Sequence, residues 1–360
     1  MMTRTAKELS TNGHTKPQGK PRLGFLGVGW IGRNRLQAIV DAGVADIVGM
    51  TEPSNEMSAA AQQIAPDAKL IMGFDELMAA DLDGVVIATP SAMHADQAIA
   101  ALERGLAVFC QKPLARNANE TWRVVDAARK ADKLVGVDLS YRHIDGVGDI
   151  KDLVGSGALG DIFAIDLVFH NAYGPDKKWF YDPELSGGGC LIDLGIHLVD
   201  LAMWVLDFPS VENVSSRLFC GGKPLTDRAL EVEDYAVAQF EIDRNIHARL
   251  ACSWNLNAGC DAVIEATFYG TAGAASLKNE NGSFFEFSTN WMEGTTTTRL
   301  DDPEKQSFDW DWGGRAAVGW VNRLAESSKF EPSATNLIDV AEVVDTIYAA
   351  AVTSSKVLAK

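Results

Sequence analysis

With 360 residues, of which 49 are acidic and 32 basic, the chain carries a formal net charge of −17. Nucleic acids and anionic membranes bind cationic protein surfaces, so this charge argues against both as partners. Hydrophobic residues make up 47% of the chain and charged residues 22%. These values are typical of a globular protein, and the length is sufficient for two domains with a core in each.

Residues 1–20 are polar and rich in Thr, Asn, Gly, Lys and Pro. We expect a disordered tail here, since a secretory signal has an apolar centre. No uninterrupted apolar run approaches the roughly 20 residues of a membrane span. The five cysteines are scattered and lack the spacing of metal-ligand pairs. They predict free thiols in a reducing compartment, which indicates a cytoplasmic protein.

A glycine-rich turn follows the first predicted strand. The sequence at 27–32 reads Gly-Val-Gly-Trp-Ile-Gly, between an apolar strand and a helix. Strand, G-x-G-x-x-G and helix in this order are typical of a dinucleotide-binding domain. Gly27 permits the tight turn, Gly29 lets a pyrophosphate approach the backbone, and Gly32 lets helix and strand pack closely. A purely structural turn is the alternative.

The residues around this turn refine the cofactor prediction. Trp30 and Ile31 open the helix, where free N–H groups and the helix dipole favour phosphate, so we expect both near the cofactor. The next predicted strand, 46–52, ends on Glu52, about 20 residues after Gly32. A carboxylate there accepts hydrogen bonds from ribose hydroxyls and repels a 2′-phosphate. The sequence therefore favours NAD, with NADP less favoured.

Alternating strands and helices continue to about residue 138. The strands are aliphatic without polar alternation, which predicts a parallel sheet covered on both faces. The loops at its carboxyl edge should surround the cofactor. They contain Thr89, Pro90 and His94 after one strand and Gln111 and Lys112 after the next, and we predict that all five contact the cofactor. A buried structural role is the alternative for His94.

Lys112 is the candidate for proton transfer in this half of the chain. Pro113 follows it and biases its backbone to an extended conformation. A lysine at this sheet edge can exchange a proton with a hydroxyl that becomes a carbonyl, so we predict that Lys112 is catalytic and contacts the substrate. The alternative is an exposed loop lysine.

The stretch 186–204 combines three glycines with an apolar helical pattern. Two apolar faces predict a buried helix. Asp193, His197, Asp200 and Trp204 share the remaining strip, and buried ionisable groups are costly unless they have partners or face a cleft. We predict catalytic and substrate-binding roles for Asp193 and His197 and a structural one for Asp200. Two ligands fall short of a metal site, so no metal is predicted.

Two further residues are candidate substrate contacts. Arg142 lies just past the last parallel strand, where it either faces the cleft or belongs to a solvated linker. Trp179 lies in an aromatic and polar loop that leads into the three glycines, and we expect its ring to pack on a sugar.

The second half of the chain predicts an antiparallel sheet and closing helices. Many of its strand-like segments alternate in polarity, which gives a sheet two different faces. The helices are predicted over 314–330 and 333–353. The strands are predicted at 211–220, 234–242, 246–254, 262–269, 274–277, 284–287 and 295–300.

Taken together, these motifs resemble the glucose–fructose oxidoreductase/inositol dehydrogenase/rhizopine-catabolism (Gfo/Idh/MocA) family. The resemblance extends over about residues 21–355 and depends on the order and spacing of the glycine turn, Thr89-Pro90, Gln111-Lys112-Pro113 and the segment 187–197. It implies that Lys112 is the family's catalytic lysine, Asp193 its active-site aspartate and His197 its histidine.

The resemblance also implies an α/β fold and an activity. An N-terminal Rossmann domain, 21–140, would precede a substrate and oligomerisation domain, 141–335, with a large, mostly antiparallel sheet. A C-terminal helix within 336–360 would pack back. The implied activity is NAD(P)-dependent hydride transfer to or from a sugar, inositol or related polyol. One face of the second sheet lacks later helices to cover it, so we expect a homodimer or homotetramer through that sheet.

One departure and two alternatives stay open. The family usually has Glu where this chain has Gln111, which removes a negative charge near Lys112. A glycoside hydrolase that uses NAD transiently is one alternative function. A cofactor-binding regulator without activity is the other, and the retention of Lys112 and His197 argues against it.

Overall fold

A computed structural model describes residues 19–302 and 311–357. The predicted tail, residues 1–20, lies outside the described residues except for its last two. The described chain forms one parallel and one mostly antiparallel sheet, which confirms the predicted α/β class with two sheet-containing domains.

The first sheet has six parallel strands in the order β3-β2-β1-β4-β5-β6, and the order reverses between β1 and β4. Ligands bind at such a switch point, outside the carboxyl ends of the strands. Apolar clusters lie on both faces of the sheet, as the aliphatic strands predict. The elements are β1 Arg22–Leu26, α1 Trp30–Ala42, β2 Asp46–Thr51, α2 Asn55–Ile64, β3 Lys69–Leu70, α3 Phe74–Met78, β4 Gly84–Ile87, α4 Ser91–Glu103, β5 Ala107–Cys110, α5 Ala118–Ala131 and β6 Val135–Val137.

The second sheet has nine strands in the order β15-β14-β13-β12-β7-β11-β10-β8-β9. The central pair β7 and β11 is parallel, and the other pairs are antiparallel. The strands are β7 Ile162–Asn171, β8 Val211–Cys220, β9 Lys223–Pro224, β10 Tyr235–Ile242, β11 Ile246–Ser253, β12 Ala262–Gly270, β13 Ala274–Asn279, β14 Phe287–Glu293 and β15 Thr296–Arg299.

Helices of the second domain cover one face of this sheet. Helix α6, Val147–Gly155, and helix α8, Ile196–Val205, share one apolar cluster with the strands. Along β10, buried side chains alternate with more exposed ones. A short 3₁₀ turn, Ser140–His143, joins the two domains. The predicted strand 284–287 differs from the structure, because β14 starts at Phe287 and the preceding residues form a turn.

The predicted helix over 186–204 is interrupted. Helix α7 covers Pro183–Ser186 and ends at Gly187, whose φ of 86° is left-handed. A π-helical turn, Leu191–Gly195, then leads into α8. Such turns widen a helix and often occur at functional sites. The apolar periodicity predicts a helix, but it does not show whether a turn is α-helical or contains the extra residue of a π-helical turn.

The segment Pro183–Val205 has a mean hydropathy of 1.5 in its most apolar stretch, so it passes the length and composition test for a membrane helix. However, 89% of that stretch is buried inside the protein. We interpret it as a core helix of the second domain.

The last two helices cross the predicted domain boundaries. Helix α9, Asp311–Glu326, was expected in the second domain, but its Trp320 is buried in the core of the first. Gly84 and Gly136 make room for this ring, because a Cβ there would lie within 2.8 and 2.7 Å of it. Helix α10, Asn336–Val357, contacts α5 of the first domain and β8 of the second.

Candidate active site

A cleft of about 620 Å³ lies between the two domains. Its lining combines loops at the carboxyl edge of the first sheet with the π-helical turn and the aromatic loop of the second domain. Most of the predicted site residues line it: Gly29, Trp30, Ile31, Thr89, Pro90, His94, Gln111, Lys112, Trp179, Asp193 and His197.

Lys112 and Asp193 connect the two sides of the cleft. The Lys112 Nζ donates to Asp193 Oδ1 at 2.6 Å and to the Asp193 carbonyl oxygen at 2.8 Å. Only 18% of the Lys112 side chain and 15% of the Asp193 side chain are exposed, so water screens this ion pair poorly. The pair fixes the lysine head group at the point where the domains meet.

His197 lies beside this pair, one turn after Asp193. It is 8% exposed, and its ring packs against Tyr141 with 4.8 Å between centroids. Burial, and then the positive charges of Lys112 and Arg35, hold the pKa of His197 well below its usual value. Its Nδ1 is buried without a hydrogen-bond partner among the described residues. His197 is therefore a neutral imidazole with unused hydrogen-bonding capacity.

The glycine turn has the shape that the sequence predicts. Gly27 has a φ of 82°, and a Cβ on Gly32 would lie 2.3 Å from the Gly27 carbonyl oxygen. A Cβ on Gly29 would meet nothing within 4 Å. Gly27 and Gly32 are thus needed for packing and lie behind the cleft, whereas Gly29 borders open space in front of the helix.

Glu52 stabilises the glycine turn by hydrogen bonds to backbone N–H groups. Its Oε2 accepts from Val28 N at 3.0 Å and its Oε1 from Ser54 N at 3.1 Å. The carboxylate is part-buried at the end of β2, outside the cleft lining. Each oxygen retains a second lone pair for another donor.

His94 joins two loops. It is 1% exposed, with Nδ1 2.7 Å from the Pro113 carbonyl oxygen and Nε2 2.6 Å from the Thr89 carbonyl oxygen. Burial is the main cause that lowers the pKa of His94. Because both ring nitrogens face carbonyl groups of the protein, His94 positions the loops that carry Thr89 and Lys112.

Gln111 takes part in a buried polar cluster that the sequence did not reveal. Its Nε2 donates to Asp138 Oδ2, and Arg35 Nε donates to the same oxygen at 2.5 Å. Asp138 is 1% exposed. An amide at position 111 can donate to Asp138, whereas the family's usual glutamate would place a second carboxylate there. The cluster therefore gives the Gln111 amide a buried acceptor.

Arg142 lies elsewhere than predicted. Its guanidinium binds both carboxylate oxygens of Asp200, with 2.8 Å between Nε and Oδ2, and it lies over the rings of Trp204 and Phe208. It is absent from the cleft lining. The buried Asp200 needs a cationic partner, and this requirement draws Arg142 away from the substrate space.

Two family profiles match the chain. The first, described as an oxidoreductase family with an NAD-binding Rossmann fold, matches residues 22–139. The second, the GFO/IDH/MocA C-terminal domain, matches residues 147–276, and together they cover more than half of the chain. The chain belongs to the Gfo/Idh/MocA oxidoreductase family. This confirms the predicted resemblance, and the chain is an NAD-binding oxidoreductase.

Curated Gfo/Idh/MocA relatives include two sugar and polyol dehydrogenases. The chain is 32% identical over 211 residues to a D-glucoside 3-dehydrogenase of Escherichia coli K12, covering 56% of this chain and 60% of that protein. It is 25% identical over 317 residues to inositol 2-dehydrogenase 3 of Saccharopolyspora erythraea, covering 87% and 88%.

A solved Gfo/Idh/MocA structure, levoglucosan dehydrogenase in complex with NADH, has the same fold. Its TM-score is 0.80 at 21% identity, and the match covers 93% of this chain and 98% of that one. At this identity the likeness concerns the fold alone.

The residues of the cleft fit an NAD molecule. The space in front of Gly29 leaves room for a phosphate at the N-terminus of α1. Three residues of the lining have buried polar atoms without a partner among the described residues: Asn34 Nδ2, Asp138 Oδ1 and His197 Nδ1. Buried polar groups of a folded protein normally have partners, so these atoms indicate a polar ligand. The described residues contain no cluster of three or more potential metal ligands.

Sequence reasoning missed two residues that hold Asp193. Trp254 Nε1 donates to Asp193 Oδ2 at 3.1 Å, and Trp254 is 2% exposed. Glu233 is fully buried and its Oε1 accepts from Gly189 N and Leu191 N, both at 3.0 Å, which anchors the start of the π-helical turn. Both residues lie more than 40 positions from Gly189, and Glu233 lies two residues before β10, so no local sequence pattern links either residue to the turn.

Proposed function

We propose that the chain oxidises a secondary hydroxyl of a sugar, inositol or related polyol, with NAD as the hydride acceptor. The observation that supports this most is the ion pair of Lys112 with Asp193, beside a neutral His197, in the same cleft as the open space at Gly29. A lysine from the dinucleotide domain and a histidine from the other domain thereby face one reaction space.

The division of labour follows from the protonation of these groups. NAD, when bound, supplies the electrophilic carbon that accepts the hydride. His197 is neutral and takes the hydroxyl proton. Lys112 donates a hydrogen bond to the same oxygen and stabilises the negative charge that develops on it. Asp193 holds the Lys112 head group and orients neighbouring hydroxyls of the substrate.

We propose NAD as the preferred cofactor, held by the residues of the first domain. Glu52 would accept from the adenosine ribose hydroxyls with its remaining lone pairs and would repel a 2′-phosphate. Arg35, near the start of α1, is bound to Asp138 and is therefore not available to a phosphate. Gln111, Thr89, Pro90, Trp30 and Ile31 would border the cofactor within the cleft.

A substrate panel tests the proposal. Inositols, aldoses, alkyl glycosides and sugar acids are each incubated with NAD or NADP, and absorbance at 340 nm is followed. We expect NADH to accumulate with at least one neutral polyol and kcat/KM to be higher with NAD. Hydrolysis of a glycoside without net NADH would instead identify the transient-NAD alternative, and cofactor binding without any turnover would identify a regulator.

We also propose a homodimer or homotetramer in the cytoplasm. A groove of about 660 Å³ runs over the outer face of β7, β8, β10, β11 and β12. There Arg249 binds both oxygens of Asp166 at 2.7 Å, and no helix within 19–302 or 311–357 lines this polar face. All five cysteines are free thiols, in agreement with a reducing compartment. Light scattering after size-exclusion chromatography measures the assembly, and a monomer at micromolar concentration would contradict it.

A further inference from the structure

Aromatic side chains form much of the cleft that the proposed function uses. Besides Trp30 of the first domain, six of them line it from four separate segments of the second domain: Tyr141, Phe169, Trp179, Phe180, Phe284 and Phe285. Sugar rings pack well on one or two aromatic faces, so a set of six calls for a further occupant.

These aromatic residues fall into an inner and an outer group. Tyr141 and Phe169 are 5% and 4% exposed, and their ring centroids lie 4.8 and 6.5 Å from that of His197. They form the inner group, beside the reacting hydroxyl. The other four are half-buried and form the outer group, towards solvent.

The outer group consists of two pairs. Trp179 stacks on Phe180 with 3.8 Å between centroids and 20° between planes, in the 3₁₀ turn Lys178–Tyr181. The ring centroids of Phe284 and Phe285 lie 6.4 Å apart, in the turn between β13 and β14. Half-exposed aromatic faces from two segments of one cleft gain free energy when an apolar ligand covers them.

The charges of the cleft argue against an anionic substrate. Its described lysine and arginine residues are Arg35, Lys112 and Lys177, and each is paired with a carboxylate, at 2.5, 2.6 and 3.1 Å. The net charge of −17 adds a repulsive field. Each lysine and arginine that the structure describes in the lining therefore has a carboxylate partner with which a phosphate or a sugar acid would have to compete.

A second sugar is also a poor match for the outer group. Sugar hydroxyls need hydrogen-bond partners when they are buried. The charged side chains that line this part of the cleft, Asp176 and Lys177, bind each other. The outer group therefore presents mainly apolar faces.

We propose that the substrate is a neutral glycoside with an aromatic aglycone, which rests on the proposed function. The sugar ring lies against the inner group, with the reacting hydroxyl at Lys112 and His197. The aglycone lies against the outer group. Specificity then comes from the aglycone as well as from the sugar.

Matched glycosides test this inference. The kcat/KM values of 4-nitrophenyl and methyl glucopyranosides are compared with NAD for both anomers, together with cellobiose and myo-inositol. For the preferred anomer, we expect the aryl glycoside to exceed the methyl glycoside by about tenfold or more, mainly through a lower KM. Ratios within about twofold, or preference for cellobiose or myo-inositol, would overturn the inference while leaving the dehydrogenase proposal intact. No NADH with any compound would instead count against the proposed function.

Variants locate the effect. Trp179→Ala and Phe284→Ala are each expected to reduce the aryl-to-methyl ratio of kcat/KM towards one. Trp122→Ala is the matched control, because Trp122 is 49% exposed on α5, outside the cleft. The control should keep the wild-type ratio. Two folded outer-group variants that also keep that ratio would show that the outer group does not bind the aglycone.

Discussion

The two domains contribute different kinds of groups to the cleft. The first domain contributes mainly backbone: a glycine turn, the start of α1 and loops held by His94. The second domain contributes side chains on a π-helical turn. Glu233 and Trp254, which are distant in the sequence, hold this turn by direct hydrogen bonds. A site built from backbone depends on glycines, which lack a Cβ, whereas a site built from side chains depends on partners elsewhere in the chain. The first kind leaves a local sequence pattern, and the second does not.

The largest effect should come from the groups that meet across this boundary. We expect Lys112→Ala and His197→Ala each to lower kcat by about 10²–10⁴-fold, because each removes a group that acts on the reacting oxygen. Steady-state kinetics on a verified substrate measures this, and calorimetry should show retained NAD binding. Lys130→Ala is the control, since this side chain is 75% exposed on α5. Near-normal turnover in either active-site variant would remove that residue from the proposed mechanism.

The backbone side can be tested by placing one methyl group at two positions. Gly32→Ala forces a Cβ within 2.3 Å of a carbonyl oxygen, so we expect a loss of about 3 kcal/mol or more in the free energy of unfolding. Gly29→Ala meets no protein atom within 4 Å and should change stability by less than about 1 kcal/mol.

The same pair separates stability from cofactor binding. Because the Gly29 methyl group projects into the space assigned to the pyrophosphate, we expect NAD affinity to fall by about tenfold or more. Urea denaturation and calorimetry measure the two quantities. Unchanged NAD affinity in Gly29→Ala would move the cofactor away from this turn.

The side-chain side can be tested at its remote anchor. Glu233→Ala leaves Gly189 N–H, Leu191 N–H and the Tyr348 hydroxyl without their buried acceptor, so we expect a loss of about 3 kcal/mol in the free energy of unfolding. Turnover should also fall, because the π-helical turn carries Asp193. Tyr348→Phe removes one of these bonds and should cost about 1 kcal/mol. Equal losses in both variants would contradict the anchoring role.

The departure from the family pattern allows a double-mutant cycle. Gln111→Glu places a second carboxylate against Asp138, and we expect a loss of about 2 kcal/mol in stability. Asp138→Asn in the Gln111→Glu background restores a donor to the contact and should recover at least half of that loss. Chemical denaturation of the four proteins measures the coupling. Strictly additive effects would show that the two residues do not depend on each other.

The smallest effect concerns pH. The folded pKa of His197 lies well below that of an unfolded imidazole, near 6.5, so on acidification the unfolded chain takes up this proton first. Stability from this residue is present above pH 6.5 and is lost as the pH falls below it, by up to about 1.4 kcal/mol per pH unit. His197→Asn should reduce the slope of stability between pH 6.5 and 5.5. An identical slope in both proteins would show that His197 is not held neutral.

Local patterns were sufficient for much of the fold. The glycine turn, the acid at the end of β2 and the aliphatic strands predicted the parallel sheet, and alternating polarity predicted most strands of the second sheet. The predicted roles of Lys112, Asp193 and His197 stay predictions, although the structure brings the three together. Arg142 shows the limit, because sequence position placed it near the cleft while Asp200, 58 positions away, determines where it lies.

The sequence by itself determined the order of elements, the dinucleotide turn and the residue types available for proton transfer, since each depends on neighbours a few positions apart. Tertiary structure alone decided which residues from distant segments become partners. The pairing of Gln111 with Asp138, the anchoring of the π-helical turn by Glu233, the packing of Trp320 against Gly84 and the aromatic lining of the cleft all join distant segments. A buried polar or bulky group must find its partner wherever the folded chain presents one, and sequence spacing carries no record of that choice.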